Sequence, residues 1–84
     1  VDIDWEFPAD PTRGGRPFDT KNFTLLMKEF KEAIAVEASA THKAPLLLTT
    51  ATPAGDNAKL FELGEVAKYA DWINLMSYDF YGAW

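Results

Sequence analysis

The first seven residues, VDIDWEF, alternate strictly between apolar and acidic side chains. A period of two predicts a strand from Val1 to Phe7, with Val1, Ile3 and Trp5 on one face and Asp2, Asp4 and Glu6 on the other. Pro8 and the Pro- and Gly-rich run ADPTRGGRP predict a loop. The period then changes to that of a helix. With Asp19 or Thr20 as N-cap, Phe23, Leu26, Met27, Phe30 and Ile34 form one apolar stripe of a helix reaching roughly Ala38, and Lys28, Lys31 and Glu32 cover its other side. Ala44 to Thr52 (APLLLTTAT) is apolar and β-branched without clean alternation, which predicts a second strand covered on both faces. Pro53, Gly55, Asp56 and Asn57 predict a turn. Leu60, Leu63, Val66 and Ala67 predict the inner stripe of a second helix from about Lys59 to Tyr69, weakened at Gly64 by about 1 kcal/mol relative to alanine. DWINLMSYDF, opened by Asp71, predicts a third strand.

The predicted order is β-α-β-α-β, an α/β arrangement. Connections of this length favour parallel strands with helices packed on the sheet. The order fits a piece of an open doubly wound sheet as well as a piece of an eightfold barrel. No internal repeat or low-complexity tract interrupts it, and Gly14-Gly15 lacks the further glycine and the Lys-Ser/Thr spacing of a phosphate loop. Of the 84 residues 48% are hydrophobic, the composition of a folded chain with a modest core. Eight basic against thirteen acidic residues leave a net charge of −5. Nucleic acid and anionic membrane both require a basic face, so neither is expected as a partner. Cysteine is absent, which removes disulfides and thiolate metal sites. No apolar run is long enough to span a bilayer. The chain starts inside an apolar run and stops at Gly82-Ala83-Trp84, which reads as an internal piece of a longer protein.

Side chains two apart on a strand point the same way and lie roughly 6–7 Å apart. An acidic row facing water is the ordinary outer face of a half-buried strand, and alternation alone favours that reading. Parallel strands with helical crossovers, however, are usually covered on both faces. Two enclosed carboxylates about 6.7 Å apart repel by roughly 2.5 kcal/mol at an effective dielectric of about 20, enough to leave a proton on one member of the row. Glu6 is the last acid, the longest in reach and the nearest to the carboxyl end of its strand, where reactive groups emerge in barrels and doubly wound sheets alike. It is the candidate general acid, with Asp4 behind it. Magnesium or calcium is the rival use of clustered carboxylates, but a straight strand spreads the three acids over about 13 Å, and no metal is assigned. His42, in the polar turn THK, reads as a solvated surface residue.

VDIDWEFP resembles the active-site strand of glycoside hydrolase family 18, the chitinases and their relatives. The family pattern is Asp-Gly, an aliphatic residue, Asp, an aliphatic residue, Asp, any residue, Glu. Val1 to Glu6 match its last six places. NLMSYDFYG resembles the Met-x-Tyr-Asp segment of the family's sixth barrel strand, placed here on Met76, Tyr78 and Asp79, and LLLTTATPAG is similar to the fifth strand. The resemblance implies that residues 1–84 are a partial catalytic domain, about strands four to six of a TIM (β/α)8 barrel.

It implies further a retaining, substrate-assisted hydrolase of β-1,4-linked N-acetylglucosamine. Glu6 would be the acid and base, Asp4 would orient the sugar's acetamido group, Asp2 would support Asp4, and the Tyr78 hydroxyl would contact the acetamido group. Met76, Asp79, Tyr81 and Trp84 complete the candidate substrate-binding set, Met76 as packing beneath the site. Strand parity puts Asn74, Met76 and Tyr78 on one face, so Asp79 reaches the site only if the strand ends at Tyr78 or parity fails there. The family implies no cofactor, secretion to the extracellular space and, at full length, a monomer acting on chitin or N-acetylglucosamine oligosaccharides. An endo-β-N-acetylglucosaminidase of the same family shares the acid row. A chitinase-like lectin, which binds sugar without cutting it, typically has the final glutamate replaced, whereas Glu6 is intact. The isolated 84 residues, with three strands of eight, are expected to be inactive.

Overall fold

The computed structural model describes residues 1–77. The helical stripe of the sequence becomes the wall of the core. Helix α1 (Asp19–Thr41) buries Phe23, Met27 and Ile34, half-buries Leu26 and Phe30, and leaves Lys28 and Glu32 in solvent. It continues beyond Ala38 because no glycine or proline interrupts Ser39-Ala40-Thr41. His42 ends it in the left-handed conformation (φ 56°), with its N–H bonded to the Ala38 carbonyl. Asp19 is the first helical residue and not the cap, a place taken by Phe18.

Three parallel strands form one sheet in the order β1-β2-β3: β1 (Asp2–Ile3), β2 (Thr49–Pro53) and β3 (Trp72–Met76). The register sets Asp2 beside Thr49 and Thr49 beside Trp72, and runs on to Pro53 beside Met76. β1 and β2 are shorter than predicted, and the last three residues of the third predicted strand, 78–80, lie outside the described residues. The apolar run before β2 stays out of the ladder, with Leu46 and Leu47 about half exposed. A two-armed clamp at Leu48 starts the β2–β3 pairing. The Leu48 N–H donates to Asp71 Oδ2 at 2.7 Å, and the Asp71 N–H donates to the Leu48 carbonyl at 2.7 Å.

The predicted helix from Lys59 to Tyr69 is replaced by two short pieces, a 3-10 turn at Asp56–Leu60 and the single-turn α2 (Leu63–Val66). Phe61 between them is extended (φ −111°, ψ 144°), and this break lets its ring drop into the core edge-on to Phe23, with centroids 4.9 Å apart. Ala67, predicted to face inward, is exposed, whereas Val66 is fully buried. The Thr24 hydroxyl donates to Glu62 Oε1 at 2.6 Å and ties α1 to the start of α2.

Phe23, Met27, Ile34, Leu48, Phe61 and Val66 form one buried cluster, with Ile3, Trp5 and Ile73 packed against it. Burial of a side chain such as Phe23 contributes about 1.5–3 kcal/mol. The cluster lies on one side of the sheet only. Right-handed crossovers between strands taken in sequential order put both connections on the same face, as in a barrel, whereas a doubly wound sheet reverses its order to use both. The expectation that β2 is covered on both faces is met on one. Among the described residues no element covers the face that carries Asp2.

Candidate active site

The ladder between β1 and β2 stops at Ile3 and Thr50, so Asp4 to Phe7 leave the sheet earlier than the alternation predicts. The side-chain alternation nevertheless persists. Ile3 and Trp5 both join the core, and the Trp5 ring lies 5.9 Å from that of Phe23. Asp2 and Asp4 are exposed on the uncovered face and Glu6 is half-buried. The enclosure on which the repulsion argument rests is therefore not supplied by residues 1–77, and a carboxylate row open to water interacts more weakly. Because all strands run the same way, Glu6, beyond the carboxyl end of β1, emerges at the same end as Pro53 and Met76. Met76 is half-buried, and with Trp72 and Asn74 it shares the register of the acid face. Tyr78, Asp79, Tyr81 and Trp84 lie outside the described residues.

Sequence reasoning missed one polar partner. Thr49 is buried, and its hydroxyl donates to Asp2 Oδ1 at 2.7 Å. Thr50, one residue on, points to the helix side and donates to the Ile3 carbonyl at 2.8 Å. The available signal was a pair of hydroxyl residues in an otherwise apolar strand. Assigning one of them to Asp2 requires the register, which is a non-local property.

The chain after Glu6 is closed on itself. Pro8 is buried, Ala9 takes a left-handed conformation (φ 68°), and the Asp10 carbonyl accepts from the N–H groups of Arg13 and Gly15 at 3.0 and 2.8 Å. A Cβ on Gly15 would stand 2.5 Å from Asp10 N and 2.8 Å from the Phe7 carbonyl oxygen, so the position admits no side chain without moving the backbone just past Glu6. The Arg13 guanidinium stacks over the Phe7 ring at 4.4 Å. The Thr12 hydroxyl, seconded by the Thr12 N–H and the Arg13 charge, holds the Asp10 carboxyl below its ordinary range against partial desolvation. At the far end of the loop, Asp19 accepts from the Asn22 side-chain amide at 3.0 Å, from the Arg16 N–H at 3.0 Å and from Arg16 Nη2 at 3.1 Å. The Asn22 bond first, then those from Arg16, hold its carboxyl below the usual range. His42 is exposed. Among the described residues no three His, Cys, Asp or Glu side chains come together to hold a metal ion.

The sequence profile described as "Glycosyl hydrolases family 18" matches residues 1–84. Chitinase A1 from Niallia circulans is 38% identical over 87 residues, an alignment covering 100% of this chain and 12% of that protein. A chitinase-like agglutinin, RobpsCRA from Robinia pseudoacacia, superposes with a TM-score of 0.82 at 33% identity, over 98% of this chain and 24% of its own. A class V chitinase from Nicotiana tobaccum, solved as a mutant in complex with NAG4, superposes with a TM-score of 0.78 at 36% identity, over 96% of this chain and 22% of its own. The chain spans between 12% and 21% of the length of the curated relatives it matches.

Proposed function

Since this chain belongs to glycoside hydrolase family 18, as a piece of its (β/α)8 barrel, we propose that the full-length protein is a chitinase. It cleaves β-1,4 linkages between N-acetylglucosamine units with retention of configuration, using the substrate's own acetamido group as nucleophile. Glu6 gives its proton to the glycosidic oxygen as the acetamido carbonyl oxygen attacks the anomeric carbon. The C–O bond to the leaving sugar breaks and an oxazolinium ion forms. Asp4 accepts the acetamido N–H and lies beside the positive charge, Asp2 supports Asp4, and the Tyr78 hydroxyl contacts the acetamido group. Glu6, now a carboxylate, takes a proton from water as that water attacks the anomeric carbon, which breaks the oxazolinium C–O bond and restores the acetamido group.

The physics suits this division. A nucleophile carried by the substrate has a high effective concentration, so the protein only has to hold it in place. A fixed anion beside a developing cation favours the transition state over the neutral ground state. The supporting observation is the alternation that buries Ile3 and Trp5 against the core and leaves Asp2 and Asp4 exposed, with Glu6 beyond the carboxyl end of β1. The NAG4 complex of the similar Nicotiana enzyme supports a chitin oligosaccharide as ligand, with secretion as part of the same reading.

Sugar binding without cleavage is a second reading, drawn from the likeness to the Robinia agglutinin. Glu6 favours hydrolysis, because a lectin has no use for a proton donor at that place. In the full-length protein, Glu6→Gln lowers hydrolysis of chitin oligosaccharides by about 10²–10⁴-fold while calorimetric binding stays within a few-fold. A rate equal to that of the parent would end the acid assignment. Assays on chitin oligosaccharides and on a high-mannose glycoprotein separate a chitinase from an endo-β-N-acetylglucosaminidase.

A further inference from the structure

β2 carries three threonines, and their hydroxyls have three different fates. Thr50 satisfies the Ile3 carbonyl on the helix side, and Thr52 is fully buried there with no partner for its hydroxyl among the described residues. Thr49 alone faces the acid row, 7% exposed, with its hydroxyl 2.7 Å from Asp2 Oδ1. It sits on the central strand, where pairing to Asp2 on one side and Trp72 on the other fixes its backbone, and its own N–H donates to the Val1 carbonyl at 2.8 Å. A β-branched side chain is stiff at χ1, so the hydroxyl is held in place before any ligand arrives.

We propose that Thr49 is a positioning residue of this active site, acting on the sugar through Asp2 and Asp4. The inference rests on the reading of the acid row as the catalytic centre. Thr49 occupies one oxygen of Asp2, sets the plane of that carboxylate, and leaves the other oxygen for Asp4. With Asp2 fixed, Asp4 has fewer orientations to lose when it grips the acetamido N–H. Preorganisation of this kind appears in turnover and not in ground-state affinity.

The experiment measures kcat and KM on chitin oligosaccharides for the full-length protein and for Thr49→Val, Thr49→Ala, Thr49→Ser and Glu6→Gln, with a thermal melt of each. Valine keeps the shape without the hydroxyl, alanine removes it without bulk, and serine restores it. Valine and alanine are expected to lower kcat about tenfold with KM within about twofold, and serine to recover kcat to within about threefold of the parent. Parent-like kcat in Thr49→Val, a loss confined to KM, or a serine variant as slow as the valine one overturns the proposal. If Glu6→Gln is inactive while Thr49→Val is fully active, only the role of Thr49 fails. If Glu6→Gln hydrolyses as fast as the parent, the catalytic reading itself fails.

Discussion

Ile3, Leu48, Thr50 and Thr52 lie beneath α1 and the second crossover, whereas their chain neighbours Asp2 and Asp4, with Trp72 and Asn74 of β3, lie on a face that no described element covers. The same strands build both. On the helix side, residues are held by shape: Trp5 against Phe23, Phe23 against Phe61. On the acid side, Asp2 is held by the Thr49 hydroxyl, and Asp2 and Asp4 are exposed to whatever enters. Stability and chemistry therefore alternate residue by residue from Asp2 to Glu6, and a substitution should disturb one without the other.

The largest test of that separation is Phe23→Ala, which empties the centre of the cluster and should lower unfolding free energy by about 3–5 kcal/mol in urea titrations of the full-length protein. Glu6→Gln, one residue from a core tryptophan, should leave unfolding free energy within about 0.5 kcal/mol of the parent. If both destabilise alike, the two faces are not independent.

Asp19 gives a second test, through pH. Its folded carboxyl is held below the ordinary range, so the stabilisation is fully present above its unfolded pKa of about 3.9 and fades as pH falls through the folded value. The gap in urea midpoint between the parent and Asp19→Asn should be widest near neutral pH and narrow in acid. A gap that stays constant would mean that the Arg16–Asp19–Asn22 network does not depend on the charge. A change of the opposite sign is expected from Thr52→Val. Removing a fully buried hydroxyl that has no partner among the described residues should raise stability by about 1 kcal/mol, and a loss of that size would instead show that the hydroxyl has a partner in the full protein.

Much of the helix-side face was legible in the sequence, because it depends on local period. The stripe Phe23, Met27, Ile34 and the placing of Trp5 on the face opposite the acids follow from spacing alone. The second helix was not legible. Leu60, Leu63 and Val66 keep helical spacing, yet Phe61 gains more by leaving the helix and packing on Phe23. Asp19 looked like a cap because its residue type favours caps, but its carboxylate is occupied by Arg16 and Asn22. On the acid face the identities Asp2, Asp4 and Glu6 were visible, and the partner Thr49 was not, since no local pattern reveals which residue of β2 stands beside Asp2.

The clamp of Asp71 on Leu48 has a mechanical consequence. One amino acid grips both the N–H and the carbonyl of a single residue, so β3 cannot creep along β2 by giving up one bond at a time. A slip of one place would break both grips together and turn Asn74 and Met76 to the opposite side of the sheet. Leu48 is thus the zero mark from which every rung toward Met76 is counted.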